Sequence, residues 1–299
     1  MTWAAGPAES EPAAPRPARR WRLRGAEIDL AGPAVMGVLN LTPDSFSDGG
    51  RVRDVEHALD VALGMVEEGA ALVDVGGEST RPGAGDVPPD EQIRRVLPFL
   101  ERAAGRLGVP LSVDTRSAEV ARRALEAGAA AVNDVSALAH DPALAEVVAS
   151  SGAGVVLMHM RGDPATMTAR ARYADVVEDV FAELDGAVAR ARGAGIVDEA
   201  VVLDPGFGFA KTAEQSTRLL GRLSRLLDLG FPVLVGPGRK SFLGALTGAT
   251  VEDRVAGTLS ACVVAYLQGA RIFRVHDVKP VVQALSVAQA AVAAGSPAP

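Results

Sequence analysis

Residues 34–50 read AVMGVLNLTPDSFSDGG. An apolar run, Ala34–Leu39, ends on the polar Asn40. A turn-rich polar stretch follows, bounded by Gly49-Gly50, and helical periodicity begins near Asp54. Strand, loop and helix are the units this pattern specifies. The unit recurs along the chain. Further short apolar runs are Ala71–Val75, Leu111–Val113, Ala130–Val132, Gly154–Met158, Ala200–Leu203, Pro232–Val235 and Arg271–Val275. Helical stretches lie between them at Asp54–Glu68, Asp90–Leu107, Ala118–Ala127, Pro142–Ser150, Tyr173–Ala194, Gln215–Leu229 and Arg254–Gln268, and Val278–Ala293 closes the series. Runs apolar on both faces suit a parallel sheet covered by helices. This much repetition over one chain predicts a single α/β domain, a (β/α)8 TIM barrel, in preference to an open doubly wound sheet. Trp21–Leu30 reads as a short N-terminal hairpin closing the barrel bottom.

Composition bounds the rest. The chain has 299 residues, 48% hydrophobic, 22% charged and 4% aromatic, with a formal net charge of −7. That length accommodates one large barrel of roughly 250 residues. The acidic balance, with a pI near 5.2, argues against a nucleic-acid footprint. The lone Cys262 sits in an apolar run and reads as a buried, inert thiol. Residues 1–20, rich in Pro, Ala, Glu and Arg, read as a disordered tail, and 21–295 as the barrel domain. Acids and prolines near the N-terminus do not read as a signal peptide, and with no uninterrupted apolar run of about 18 residues no transmembrane helix is expected. The expectation is a cytoplasmic protein without membrane association.

The polar residues that end the apolar runs carry the chemistry. They include Asn40, Asp74, Asp114, Asn133-Asp134, His159, Asp204, Lys240, Arg274 and His276. In a parallel barrel every C-terminal strand end opens on one face, where the active sites of this architecture lie. Taken singly, each has a bland reading as a helix cap or a backbone partner, and Asp277 before Val278 reads as such a cap. Met158 and Phe209 are, by spacing alone, as consistent with core packing as with a pocket wall. Together the set predicts a site. Gly206-Phe207-Gly208 lacks the third glycine of a dinucleotide fingerprint, with Lys211 in its place. Gly236-Pro237-Gly238-Arg239-Lys240-Ser241 fails the phosphate-loop pattern at Arg239. What remains is local basicity on an acidic protein, from Arg81, Lys240, Arg274 and His276. That points to a small anionic substrate. Asn40 beside phosphate oxygens suits Mg²⁺, which takes few protein ligands.

Eight segments together resemble a known family. They are MGVLNLTPDSFSDGG (36–50), DVGGESTRPGA (74–84), SVDT (112–115), NDVSA (133–137), LMHMRG (157–162), LDPGFGFAKT (203–212), RKSF (239–242) and RVHDV (274–278). The chain is similar to the dihydropteroate synthases over about residues 22–292. The resemblance implies a TIM barrel, and an Mg²⁺-using homodimer. It implies a transferase that joins 4-aminobenzoate to dihydropterin methyl diphosphate in folate biosynthesis, the step that sulfonamides target. By the same resemblance Asp114, Asn133 and Asp204 line the pterin pocket, Lys240 reaches the ring, and Met158 and Phe209 form its walls. Arg274 and His276 match the diphosphate pocket, and Asn40 the Mg²⁺ ligand. Pro43, Phe46, Thr80, Arg81 and Ser241 match the aminobenzoate side. Asp114, Lys240, Arg274 and His276 are the implied catalytic group.

Two departures from the family pattern stand out: Gly238 replaces a serine, and Gln215-Ser216 replaces a His-Asn pair. Two other readings remain open at this level. One is a pterin-dependent methyltransferase barrel, which has no need of Lys240, Arg239, the Arg274/His276 pair or the two long, glycine-bounded polar stretches at 40–50 and 76–83. The other is a non-catalytic pterin-binding paralogue.

Overall fold

The computed structural model describes residues 19–42, 51–79 and 83–295. Two short strands, β1 (Arg20–Leu23) and β2 (Ala26–Asp29), pair antiparallel through a turn at Gly25, whose φ of +70° suits glycine. The hairpin thus begins at Arg20, one residue inside the segment expected to be tail. Eight parallel strands follow: β3 (Ala34–Asn40), β4 (Leu72–Gly76), β5 (Leu111–Asp114), β6 (Ala131–Asp134), β7 (Gly154–Met158), β8 (Val201–Asp204), β9 (Leu234–Val235) and β10 (Ile272–Val275). The hydrogen-bonded order is β8-β7-β6-β5-β4-β3-β10-β9. Leu203 N donates to Pro232 O at 3.0 Å beside the Leu203–Val233 bridge, which joins the two ends of the sheet into a barrel.

The helices are α1 (Arg51–Glu67), α2 (Pro89–Ala103), α3 (Ala118–Glu126), α4 (Ala143–Ser151), α5 (Val176–Gly193), α6 (Ala213–Gly221), α7 (Ser241–Thr247), α8 (Val255–Leu267) and α9 (Val278–Gly295). They pack outward-facing strand residues such as Val73, Val113, Val155 and Leu203 into one continuous apolar layer. A second cluster fills the barrel interior at its lower end. Met36, Leu72, Ala131, Val156, Val202, Leu234 and Ile272 meet Trp21, Leu23, Ile28 and Leu30 of the hairpin. The hairpin therefore plugs the bottom, as its position before the first unit suggests. Trp21 is fully buried and its Nε1 donates to Ala200 O at 2.9 Å, which satisfies the indole inside the core. Gly154 makes room for this plug: a Cβ there would lie 2.5 Å from Leu23 Cδ2 and 3.0 Å from Arg22 O.

Some expectations need correction. The single helix anticipated over Gln215–Leu229 is broken. The α6 helix stops at Gly221, Arg222 takes φ −121° and ψ 26°, and a 3-10 segment, Leu223–Leu229, ends on Gly230 at φ +83°. A poor helix former at Gly221 and an αL residue at Gly230 account for both boundaries. Helix α7 was not anticipated at all; at 7 residues it is too short for periodicity to reveal. Asp277 serves Arg239 rather than α9, accepting Nε at 3.0 Å and Nη2 at 2.6 Å. Helix α9 is long and apolar enough to cross a membrane by length and composition. Its Val278, Val281, Leu285 and Ala288 are nevertheless buried on the barrel, so it is a barrel helix.

Candidate active site

Strand pairing sets the height of the site. Asn40 pairs with Gly76, Gly76 with Asp114, and Asp114 with Asn133, so four adjacent strands end at one level. A Cβ on Gly76 would sit 3.6 Å from Asp114 Cβ and 3.7 Å from Asn40 Oδ1. Asn40 and Asp114 are thus neighbours across a glycine.

Below this row lies a buried polar network that sequence reasoning left without a role. Asp74, fully buried, accepts Ser112 Oγ at 2.5 Å, Asn133 Nδ2 at 3.0 Å and Arg274 Nε at 2.7 Å. Arg274 reaches Asp114 with its Nη2, also at 2.7 Å. These charge-assisted bonds fix the guanidinium in one pose, and Nη1 has no partner among the described residues. Burial pushes the Asp114 carboxyl up despite Arg274, and Asp74 beside it adds to the rise. The same surroundings hold Arg274 firmly charged, since its carboxylate partners outweigh its burial. The signal for Asp74 was its strand-end position between two apolar residues, where an unpaired carboxylate would not be tolerated.

On the other side of the mouth, β8 ends in Asp204. Its Oδ1 accepts Gly206 N at 2.7 Å. Burial raises its pKa to about 6, with Gly206 N, Lys240 and Arg274 opposing. The chain then turns tightly. Gly206 has φ +67°, and a Cβ there would lie 2.1 Å from His159 O, so no other residue fits. Phe209 comes forward from this turn and packs with Met158, Val135 and Met167. Lys240 Nζ stands 4.1 Å from the Phe209 ring centroid, a cation–π distance. The Gln215-Ser216 departure has a local purpose. Gln215 completes a capping box with Thr212 at the start of α6, and Ser216 Oγ accepts Gly208 N at 3.3 Å.

The loop after β9 is held on all sides. Arg239 takes φ +53°, unusual for a side-chain-bearing residue. Its N donates to Thr258 Oγ1 at 3.2 Å, its carbonyl accepts Arg254 Nη1 at 3.2 Å, and its guanidinium forks onto Asp277. Lys240 and Ser241 are thereby delivered to the mouth, with Ser241 exposed as the first residue of α7. A Cβ on Gly238 would meet nothing nearer than Val275 Cα at 3.5 Å; the space here accepts a serine as readily as the glycine. His276 is exposed at the rim. Partial desolvation, then Arg274 and Arg239, push its pKa down to about 4.

Asn40, Asp114, Asn133, Met158, Asp204, Phe209, Lys240, Ser241, Arg274 and His276 thus all belong to the C-terminal barrel mouth or its bordering loops. Pro43, Phe46, Thr80 and Arg81 lie outside the described residues. Cys262 is buried on α8, its thiol pushed up to about 12 by burial. His57 and His140 are exposed.

A barrel with buried carboxylates and an amide deep in its mouth and cations at its rim defines a class. The family model for pterin binding enzyme matches residues 36–276. The dihydropteroate synthase of Escherichia coli (strain K12) is 44% identical over 271 residues, 91% of this chain and 96% of that one. Among solved structures, Xanthomonas albilineans dihydropteroate synthase with 4-aminobenzoic acid superposes with a TM-score of 0.87. It is 46% identical and covers 93% of this chain and 99% of its own. A Yersinia pestis dihydropteroate synthase in a sulfonamide drug complex gives a TM-score of 0.86 at 43% identity, covering 92% and 99%. The chain belongs to the pterin-binding enzymes and, within them, to the dihydropteroate synthases, transferases of folate biosynthesis.

Proposed function

We propose that the chain condenses (7,8-dihydropterin-6-yl)methyl diphosphate with 4-aminobenzoate, giving 7,8-dihydropteroate and pyrophosphate. The observation that carries this is the arrangement of acceptors deep in the mouth and cations at its edge. A pterin edge presents amide and amino donors, which Asp204, Asn133 and Asp114 complement. Phe209 and Met158 bound the ring, and Lys240 reaches its acceptor atoms. Arg274, through the unengaged Nη1, and His276 receive the diphosphate. Ser241, with Pro43, Phe46, Thr80 and Arg81, makes the aminobenzoate side.

The chemistry follows from that placement. The bond between the exocyclic carbon and the diphosphate oxygen breaks first. Arg274 and His276 neutralise charge on the departing group. The carbon left cationic is stabilised by the electron-rich dihydropterin, with Asp114 nearby. The amine of aminobenzoate then attacks and loses a proton. No covalent enzyme intermediate is needed. For a metal, the donor chemistry fits Mg²⁺. Asn40 Oδ1 is a hard oxygen at the rim, and among the described residues no cluster of three His, Cys, Asp or Glu offers a closed cage. Asn40 and the diphosphate oxygens would hold the ion, which supplies a Lewis acid to the leaving group.

We assign the protein to the cytoplasm and to a homodimer. Leu246, Val251, Val264 and Leu267, 59%, 47%, 40% and 61% exposed, lie on or between α7 and α8 and give a second copy an apolar surface. Light scattering on Leu267→Glu, expected to run as a monomer, tests the dimer. The activity is tested by incubating the purified protein with both substrates and Mg²⁺. 7,8-Dihydropteroate and pyrophosphate should form in equal amounts; pyrophosphate released without dihydropteroate would refute the reading.

A further inference from the structure

Behind the pterin pocket lies an ionic array that the reaction does not use. Lys211 is 8% exposed. Its Nζ is 2.9 Å from His159 Nδ1, 3.0 Å from Phe209 O and 3.1 Å from Gly206 O, with His159 O further off at 3.4 Å. An ammonium has three protons, and the three nearest acceptors use them. His159 Nδ1 accepts only if the ring is neutral and carries its proton on Nε2. That atom is 3.0 Å from Glu183 Oε2, so the proton points to a carboxylate. Burial, then the Lys211 charge, keep the imidazole neutral, with its pKa lowered to about 4.

The array returns to the same loop by another path. Arg161 donates through Nε to Glu183 Oε1 at 2.8 Å and through Nη2 to Asp179 at 3.0 Å. Its guanidinium lies 4.0 Å from the Tyr173 ring centroid. Tyr173 Oη donates to Ala210 O at 2.9 Å. Gly206 O and Phe209 O are therefore held by Lys211, and Ala210 O by Tyr173.

This loop needs holding. Gly206, Gly208 and Ala210 all have positive φ, at +67°, +77° and +48°, a conformation that a side-chain-bearing residue such as Ala210 seldom takes. The loop leaves Asp204, brings Phe209 to Lys240 and Met158, and so shapes the pocket wall. An apolar residue at 211 would leave two loop carbonyls and the His159 nitrogen unpaired. A lysine is not a cheap occupant either. Burial pushes its ammonium down to about 7, with Asp204 and Glu183 opposing.

We propose that Lys211 is a positioning residue for the pterin site, locking the 205–210 loop from behind through His159 and Glu183, with Tyr173 as the second clasp. The proposal rests on the pterin reading above. Because, among the described residues, the array contacts none of Arg274, His276 and Ser241, its loss should weaken pterin binding selectively.

The test is titration of the diphosphate substrate, with steady-state kinetics, on wild type, Lys211→Met, Lys211→Arg and Tyr173→Phe, each checked for fold by circular dichroism. Lys211→Met should raise the pterin-substrate Kd by at least about twentyfold, the scale of unpaired buried acceptors. Its kcat at saturation and its KM for aminobenzoate should stay within about threefold of wild type. Lys211→Arg, which keeps charge and donors, should recover most of the affinity. Tyr173→Phe, removing one hydroxyl, should raise the same Kd by about threefold or more, and it decides the matter if Lys211→Met does not fold. Folded Lys211→Met with unchanged pterin affinity, an equal fall in kcat and in both affinities, or Tyr173→Phe indistinguishable from wild type would each overturn the proposal. Failure of the wild type itself to bind the pterin substrate would instead sink the pterin reading on which it rests.

Discussion

Arg274 donates through Nη2 to Asp114 at 2.7 Å, joining residues 160 positions apart in the chain. The same guanidinium holds Asp74 through Nε, so one cation compensates two buried carboxylates. Removing one member of such a set costs more than the set contributes, because the remaining charges stay buried and unpaired.

Arg274→Met should therefore destabilise the protein by about 3–5 kcal/mol at pH 8. In the variant the Asp114 carboxyl, already raised by burial, rises further above its unfolded value. Stability then falls as pH climbs through that raised value, and is regained toward acid pH, where this carboxyl is neutral. Urea unfolding at pH 5 and pH 8 checks this. A loss that is the same at both pH values would show that the ion pairs are not the cause.

Asp204 should link pterin binding to protons. Its pKa is raised to about 6 in the free protein, whereas pterin donors require the carboxylate. Its contribution to the stability of the free protein is complete below the unfolded value and lost as pH rises through about 6. Pterin affinity should run the opposite way, falling up to about tenfold per unit below that point. Asp204→Asn should abolish this part of the pH dependence. Fluorescence titration of a 6-substituted pterin between pH 5 and 8 reads it out; an unaltered profile in the variant assigns the titration elsewhere.

His276 predicts a proton moving the other way. Desolvation and the nearby arginines hold it neutral, with its pKa lowered to about 4. Pyrophosphate with Mg²⁺ would replace part of that repulsion with attraction and raise the pKa. Binding at pH 6 should then take up protons, seen by calorimetry in two buffers of different ionisation enthalpy. Uptake that persists undiminished in His276→Asn would remove this residue from the anion site.

Trp21 lies at the opposite end of the barrel from the site. Trp21→Ala should cost about 3–5 kcal/mol by emptying the plug, while pterin affinity stays within about twofold because distant sites act independently. A large loss of affinity in the folded variant would mean that the plug shapes the mouth.

The barrel was legible because apolar runs and polar strand ends alternate with a regular period. The observed β7 coincides with the expected Gly154–Met158, while β9 shrinks from Pro232–Val235 to Leu234–Val235. Periodicity does not register a two-residue strand, a break at Arg222 or a 7-residue helix such as α7. Strand-end positions pointed to Asp114, Asn133, Asp204 and Arg274. The role of Asp74 was not visible, because it depends on three donors from β5, β6 and β10 converging on one carboxylate. Lys211 was noted for the glycine it replaces; its acceptors become visible only once the chain has folded back over His159.

Calorimetric titration of (7,8-dihydropterin-6-yl)methyl diphosphate into wild type and Asp204→Ala, without aminobenzoate, tests the placement of the pterin most directly. A buried carboxylate accepting pterin donors contributes about 2–4 kcal/mol, so the variant should bind roughly 30- to 1,000-fold more weakly. Near-normal affinity in a folded Asp204→Ala protein would contradict the placement of the pterin at the barrel mouth.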